Sequence, residues 1–569
     1  MGATDLDHLQ AHMKARQAGG QLIAVGSSYL HPLGRHTTPE MVRLERENLA
    51  MVRQGMNTGR PIAGIAIKSA VDGKVSGTGT QEVREWATAK KLLPDQTEAA
   101  LLTLTSGHWV TAIEGLAGTA KTSLVGGISE FAQQRGWTVR GFGTTTTSVG
   151  ALEQVGIEAR TVAKLRAAPL PVKTGREFWI VDESSLLSTV PVNELLKLAR
   201  ERGVERIVFV GDQKQHLAIE AGNPVRQLLA DNMAVARLTK IRRQKEPGLL
   251  QAVELIAAER IPEAVDLLIE QKRVVEIKDP AARYQRIADE YLNAYEVRQN
   301  CLVVSPANEE RKAINEAVRS ALVANGYVQS LGQQHQILIP RDMTDAQKQH
   351  ALSYHEGDVI YFRRGSKAQQ IPKRAYLTVA AVNTEQLSLE KVAKDENLTL
   401  RAENGRLISF DPSRWKGLDV YTAETRTIAV GDRLQWREPD NKRRIANGQY
   451  ATVTALDRHY IEVRFDNNRK VSMPLNDARK VDLGYCSTSH KSQGSTVHKV
   501  IINIDSSRHA ELVNDRQFYV SATRPEWDAR IYTDSVQGMR RAVARTQEKT
   551  LALDVVAQER RQQSTAMRI

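Results

Sequence analysis

The stretch Glu114-Gly115-Leu116-Ala117-Gly118-Thr119-Ala120-Lys121-Thr122-Ser123 constrains this chain more than any other. It follows the apolar run Trp109-Val110-Thr111-Ala112-Ile113 and opens into Leu124-Val125-Gly126-Gly127-Ile128, so it reads as strand, glycine loop, then helix start. Such a loop is a phosphate cradle. Backbone N–H groups from Gly115, Gly118, Thr119, Ala120 and Ser123 point inward, Lys121 supplies a point charge, and the Thr122 hydroxyl offers a ligand to Mg²⁺. The pattern G-x-x-x-x-G-K-[ST] is met at Gly115, Lys121 and Thr122, with Ala120 where the second glycine is usual. Alanine accepts the right-handed helical or extended backbone but not a positive φ, so the departure weakens the motif without breaking it.

Three further stretches repeat the strand-then-polar-tip pattern. Trp137 to Phe142 leads into Gly143-Thr144-Thr145-Thr146-Thr147-Ser148, a hydroxyl-rich loop suited to phosphates or to a solvated turn. Phe178-Trp179-Ile180-Val181 runs into Asp182-Glu183, which places two carboxylates at a sheet edge, one to hold Mg²⁺ through water and one to orient an attacking water. Ile207-Val208-Phe209-Val210 ends in Gly211-Asp212-Gln213-Lys214-Gln215, where an amide and an acid can sense a γ-phosphate. Gln96, at the head of a helix opened by Pro94-Asp95, carries the paired donor and acceptor that an adenine edge needs. Together these units imply a parallel sheet that binds ATP.

At 569 residues the chain exceeds one core and should hold roughly three to five units. Hydrophobic residues at 41% and charged residues at 25% are those of a globular protein. The net charge of +13 is spread along the sequence and favours a polyanionic partner. No apolar run approaches the ~18 residues of a membrane span, so no membrane insertion is expected. The only cysteines, Cys301 and Cys486, exclude a disulfide framework and make a reducing cytosol the default.

Residues 1–90 read as a helical N-terminal region and 91–246 as the first nucleotide-binding lobe. A second lobe begins at 247–345 and resumes at 481–536. Between its halves, 346–480 alternates in short strands with turn signals such as Asn447-Gly448 and Asp466-Asn467, a β-rich and barrel-like insertion with Arg363, Arg364, Lys373, Arg374, Lys442, Arg443 and Arg444 on its loops. Residues 537–569 read as a charged helix with a polar tail.

With these residues in order, the chain resembles superfamily-1 DNA helicases of the RecD-like branch, and more closely the helicase region of conjugative relaxase-helicases of the TraI/TrwC type. Gln96 falls on the adenine-reading motif, Gly115 to Thr122 on Walker A, and Asp182-Glu183 on Walker B. Gly211, Asp212 and Gln215 fall on the third motif and Arg243-Gln244 on the fourth. His490-Lys491-Ser492-Gln493-Gly494 matches the fifth, and Arg524 the sixth. The resemblance implies an α/β fold of two RecA-like parallel-sheet lobes, an SH3-like barrel inserted in the second, and an ATP-hydrolysing enzyme that moves 5′ to 3′ on single-stranded DNA. It also implies roles. Lys121, Glu183, Gln215, Arg243 and Arg524 would be catalytic, Thr122 and Asp182 would hold the metal, Gly494 would join the nucleotide site, and Thr145, Thr161, His490 and Gln493 would touch DNA.

The sequence departs from that family at Ala120, at His216 where leucine is usual, and in the threonine loop. Pro169-Leu170-Pro171 is the expected tip of a short strand-splitting pin, or a plain rigid loop. The metal-binding histidines and nucleophilic tyrosine of a relaxase are not apparent. The expectation is therefore the helicase part of a longer bacterial, cytoplasmic relaxase, working with other conjugation proteins, or a stand-alone relative. The alternatives are a RecD-like repair helicase and a catalytically silent strand-binding copy.

Overall fold

The computed structural model describes residues 13–25, 35–64, 67–68, 75–76, 78–167, 175–341, 343–344, 347–366, 371–383, 397–415, 417–440, 442–546 and 549–558. The pin candidate Pro169-Leu170-Pro171 lies outside them. The chain divides into two compact units. One holds residues 1–287, Asn293–Arg311 and the segment from Ser487 onward; the other holds Ala288–Leu292 and Lys312–Cys486.

The first unit is built on two parallel sheets. Strands β1 (Val110–Gly115), β2 (Thr138–Gly143), β3 (Glu158–Thr161), β4 (Glu177–Asp182), β5 (Arg206–Gly211) and β6 (Val235–Leu238) form one of them, in the spatial order β6-β1-β5-β4-β2-β3. Every pairing in it is parallel. A parallel sheet is covered on both faces, so its strands are apolar throughout. Alternation still sorts the side chains: Phe178, Ile180, Val208 and Val210 enter one core cluster, while Trp179, Val181, Ile207 and Phe209 enter the other. The second cluster is capped by helix α1 (Pro39–Gln54), which buries Met51 and Val52 there. Thr38 caps α1 as its sequence suggests, its hydroxyl accepting from the Met41 N–H at 3.1 Å. Glu45 on α1 is fully buried, and its carboxylate accepts the N–H groups of Ala552 and Leu553 at 2.9 and 3.0 Å. A carboxylate at the start of helix 552–558 satisfies orphan donors there.

The second sheet places β7 (Val274–Glu276), β8 (Cys301–Val304), β9 (Val497–Ile504) and β10 (Pro525–Thr533) in the order β7-β10-β9-β8, again with parallel pairings. Its core joins Val500, Ile502, Phe518 and Ile531 to the helices Pro247–Ala257 and Ile261–Glu270. The parallel pattern follows from sequence order. Each strand is separated from its partner by enough chain to cross over, through helices in the first sheet and, between β8 and β9, through the second unit.

The second unit is antiparallel. A six-stranded sheet runs from Gln333–Pro340 through Leu418–Ile428, Asp358–Phe362, Ala375–Asn383 and Asn397–Arg401 to Leu407–Phe410. A five-stranded sheet contains Lys470–Pro474, Tyr460–Phe465, Tyr450–Leu456, Arg433–Trp436 and Val481–Leu483. These strands begin before residue 346 and end after residue 480, so the β region is longer than its turn signals suggest. Within this unit the Lys480 ammonium lies 5.0, 5.8 and 5.1 Å from the ring centroids of Tyr361, Tyr376 and Tyr421 and 2.5 Å from Glu438. One cation thereby holds residues of several strands together.

The N-terminal region is not wholly helical. Ile23–Val25 pairs antiparallel with Arg35–Thr37, and Ile67–Lys68 with Val75–Ser76. Runs this short carry too little periodicity to separate strand from loop. Among the described residues, no helix is long and apolar enough to cross a membrane.

Candidate nucleotide site

The carboxyl ends of β1, β2, β4 and β5 all lie at one edge of the first sheet because the strands are parallel. That edge gathers the phosphate loop, Thr144-Thr145, Asp182-Glu183 and Asp212 to Gln215. The amino ends of β9 and β10 contribute the opposite wall, carrying His490, Gln493, Gly494 and Arg524. A cleft of ≈ 280 Å³ between them is lined by Gly118, Thr119, Ala120, Lys121, Thr122, Ser123, Thr145, Asp182, Glu183, Gln215, Arg243, His490, Gln493, Gly494 and Arg524. Most of the residues singled out by motif thus meet in one place.

The loop is tightly folded. A Cβ on Gly115 would stand 2.8 Å from Thr119 Oγ1 and 3.0 Å from the Lys121 chain. At Gly118, φ is +83° and a Cβ would stand 2.7 Å from Cβ of Arg243, so glycine is what lets Arg243 approach the loop. Arg242 N–H closes that approach by donating to the Gly118 carbonyl at 2.9 Å. Lys121 Nζ donates to the carbonyls of Gly115 and Leu116 at 2.5 and 3.1 Å, which ties the ammonium to the loop on the wall of the cleft.

Ala120 corrects the sequence reading. It stands at φ 61°, ψ 37°, in the left-handed region that alanine was expected to avoid, at the N-cap of helix α3 (Lys121–Gln133). The surrounding loop imposes the conformation that glycine would adopt freely, at a cost of roughly 1–2 kcal/mol. Glu183 is also left-handed, at φ 50°. Two non-glycine residues in this region, both on one cleft, are strain held at a functional edge.

Asp182 is buried, and its carboxyl is pushed up to about 7, first by burial and then by the neighbouring Glu183 charge. A cation beside it would relieve both effects. With the Thr122 hydroxyl on the same cleft, Asp182 suits a divalent metal brought by nucleotide. Among the described residues there is no cluster of three or more His, Cys, Asp or Glu to hold a metal without one.

The second wall is cationic and closely packed. Arg524 is 1% exposed; its Nε donates to the Val520 carbonyl at 2.8 Å and its Nη2 to Thr523 Oγ1 at 2.9 Å. Burial, and next the Arg243 charge, bring it down to about 9. Arg243 Nη1 donates to the Thr523 carbonyl at 2.8 Å, and Gln244 Nε2 to the Pro525 carbonyl at 2.8 Å. Both guanidinium groups therefore reach the cleft from fixed positions. An added anion at this point would offset their mutual repulsion and their desolvation.

Gln96 is 4% exposed. Its Oε1 accepts from Leu93 N–H at 3.1 Å and its Nε2 donates to the Thr119 carbonyl at 3.3 Å. It ties helix α2 (Pro94–Thr105) to the phosphate loop and retains one donor and one acceptor for a base. It lines a separate cavity with Trp86, Leu92 and Arg242, next to the loop.

Thr145 caps helix α4 (Thr146–Gln154), accepting from Ser148 N–H at 3.1 Å. Thr145, His490 and Gln493 line both the nucleotide cleft and a neighbouring, mostly apolar cavity of ≈ 380 Å³ that also takes in Val162, Ala163, Leu187, Leu217 and Ala218. Thr161 lines neither cavity; its hydroxyl accepts from Lys164 N–H at 3.2 Å, and its neighbours Val162 and Ala163 reach the second cavity instead. His216 stacks on His490 with ring centroids 3.6 Å apart and planes at 15°. That contact explains how a histidine fits where an apolar leucine is usual: it replaces packing with ring stacking.

Sequence reasoning missed Tyr519 and Arg516. Tyr519 is 2% exposed, and its hydroxyl accepts from Ala117 N–H at 2.8 Å and donates to Asp212 Oδ2 at 2.7 Å. Arg516 Nη1 donates to the Gln215 carbonyl at 2.8 Å and to that of Gln213. Both lie on helix α5 (Asp515–Ala522), and their spacing from Arg524 was the only signal for them.

A family model described as an AAA domain matches residues 91–279. The multifunctional conjugation protein TraI of Escherichia coli is 22% identical over 546 residues, covering 86% of this chain and 30% of that protein. The conjugal transfer protein TraA of Rhizobium radiobacter is 25% identical over 477 residues, covering 81% of this chain and 35% of that one. The chain spans about a third of the length of these curated relatives. Among solved structures, the Pif1 helicase of Candida albicans aligns over 83% of this chain and 99% of its own with a TM-score of 0.40 at 15% identity.

Proposed function

We propose that this superfamily-1 helicase related to TraI is an ATP-driven translocase that moves 5′ to 3′ on single-stranded DNA and serves as the motor segment of a conjugative DNA-transfer protein. The observation that carries this reading is a shared cleft: Arg243 and Arg524 line it with Lys121, Asp182 and Glu183. Hydrolysis of a nucleotide triphosphate needs its developing negative charge stabilised where water is scarce, and buried guanidinium groups opposite a phosphate loop supply that.

ATP with Mg²⁺, when bound, brings the transferable phosphoryl group and the charge that neutralises its oxygens. Lys121 and the loop N–H groups hold the phosphates, with Thr122 and Asp182 toward the metal. Glu183 orients and deprotonates water, and Gln215 reports the terminal phosphate. Arg524, just before β10, reaches the transition state from the second sheet, and Arg243 from the segment that follows β6 and packs on Gly118. We read both sheets as RecA-like, with strand movement driven by closure between them. The five-stranded antiparallel sheet Arg433–Leu483 is read as the SH3-like barrel on its short consecutive strands.

DNA binding is assigned to the face of Thr145, Thr161, His490 and Gln493. The three of these that line both cavities give strand occupancy a direct route to the nucleotide. The 5′ to 3′ direction and the conjugation partners rest on the resemblance to relaxase-helicases.

ATP hydrolysis with and without single-stranded DNA, followed by unwinding of duplexes with a 5′ or a 3′ tail, tests the reading. Strong stimulation and unwinding from the 5′ tail alone are expected. Unstimulated turnover, or unwinding from the 3′ tail, would reject it.

A further inference from the structure

Helix α5 does more than lead to Arg524. From within it, the Tyr519 hydroxyl touches two separate parts of the nucleotide site at once: the backbone N–H of Ala117 in the phosphate loop, at 2.8 Å, and Oδ2 of Asp212 at the end of β5, at 2.7 Å. The same Oδ2 accepts from Gln215 Nε2 at 3.0 Å, while Asp212 Oδ1 accepts from Lys214 N–H at 3.0 Å. Asp212, Gln215 and Tyr519 are 1%, 3% and 2% exposed. The phenol therefore completes a buried chain, Ala117 N–H to Tyr519 O–H to Asp212 carboxylate to Gln215 Nε2, which leaves Gln215 Oε1 as the one end of the chain with no hydrogen-bond partner among the described residues. Each link fixes the next, since Tyr519 can donate its one proton only to the carboxylate while its oxygen receives the Ala117 N–H.

We infer that Tyr519 is a positioning residue that sets Gln215 and the phosphate loop in register with Arg524, which follows the end of its helix. Arg524 is hydrogen-bonded through Nε to the Val520 carbonyl, so any shift of α5 moves the guanidinium and the phenol together. A movement that brings Arg524 onto the terminal phosphate must therefore carry Asp212 and Gln215 with it. Arg516 on the same helix supports this coupling by donating to the Gln215 carbonyl. Ala117 N–H, spent on the phenol, is withdrawn from the set that faces phosphate. Burial and the Asp212 charge hold the phenol well above its usual range, which keeps its proton in place.

This inference rests on the proposed ATP-driven reading, and the test separates the two. In the full chain, Tyr519→Phe removes the hydroxyl and keeps the ring. The expected result is a fall of about tenfold in DNA-stimulated kcat, with KM for ATP and affinity for a fluorescent ADP within about twofold. Combination with Asp212→Asn should give little further loss, because both break one chain of bonds. An unchanged kcat in Tyr519→Phe, or losses that multiply in the double variant, would overturn the positioning role. The unaltered chain decides the matter too if the variant folds poorly: hydrogen exchange at Ala117 N–H must be at least about tenfold slower than in the open part of the loop, and fast exchange there overturns the inference. If the unaltered chain shows no DNA-stimulated hydrolysis at all, the wider reading has failed instead.

Discussion

The side-chain amide of Gln493 donates to Oε2 of Glu183 at 3.1 Å, joining the segment before β9 to the tip of β4. The bond places a residue proposed to contact DNA on the carboxylate proposed to activate water. A carboxylate oxygen that accepts an amide N–H has that lone pair engaged and not open to a water molecule. Strand binding that draws Gln493 away would free Glu183 for catalysis. Gln493→Ala is therefore expected to raise DNA-free ATP hydrolysis about threefold or more and to reduce the stimulation by single-stranded DNA. Steady-state hydrolysis at saturating ATP, with and without a homopolymer strand, measures both, and an unchanged ratio would sever this link.

Lys121 lines the nucleotide cleft only, whereas Thr145, His490 and Gln493, the residues proposed for DNA, extend into the neighbouring cavity that Lys121 does not reach. Lys121→Ala should remove turnover, by at least about a hundredfold, while leaving single-stranded DNA affinity within about twofold. Losing one charge that faces the phosphates deprives the transition state of several kcal/mol of stabilisation. Fluorescence anisotropy of a labelled strand alongside hydrolysis assays distinguishes this from general unfolding.

The left-handed backbone at Ala120 makes opposite predictions for two substitutions. Ala120→Gly removes the Cβ from a φ of 61° and should retain full hydrolysis, with the relief of roughly 1 kcal/mol partly offset by glycine's extra freedom when unfolded. Ala120→Val puts a β-branched side chain there and should weaken nucleotide affinity more than about tenfold. Isothermal titration with ADP and Mg²⁺ compares them.

Burial, and next the nearby His490, Arg524 and Arg516 charges, push the His216 imidazole down to about 2, well below its ordinary 6.5. Its Nε2 is buried with no hydrogen-bond partner among the described residues. The folded value lies below the unfolded one. The neutral ring's contribution is therefore fully present above pH ~6.5 and is lost as pH falls, at up to about 1.4 kcal/mol per pH unit. His216→Leu should flatten that dependence. Urea unfolding at pH 7.5, 6.0 and 5.0 measures it, and parallel slopes in the two proteins would contradict the assignment.

The first sheet was legible because local signals and tertiary demands agree there. Phe178 to Val181 and Ile207 to Val210 are apolar on every residue, and each ends in polar groups. A run of that kind has few folds available other than a covered parallel strand. The threonine loop was legible only as a phosphate-binding loop or a solvated turn, and its capping of a helix by Thr145 was not; Thr161, assigned to DNA contact, lines neither cavity, its hydroxyl being engaged with Lys164 N–H. The short strands before residue 80 were not legible, since two or three residues show no period.

Strand-then-polar-tip patterns determined the phosphate loop and the paired acids, because such chemistry is carried by residue type beside a strand end, while the two arginines were singled out by the family resemblance. Only the tertiary structure decided that Ala120 adopts a glycine's backbone, that Gln493 occupies Glu183, and that Tyr519 bridges Ala117 to Asp212. These contacts join residues as much as 402 positions apart in the chain. Hydrogen-bond geometry across that separation is set by how two sheets pack, and no local pattern of side chains records it.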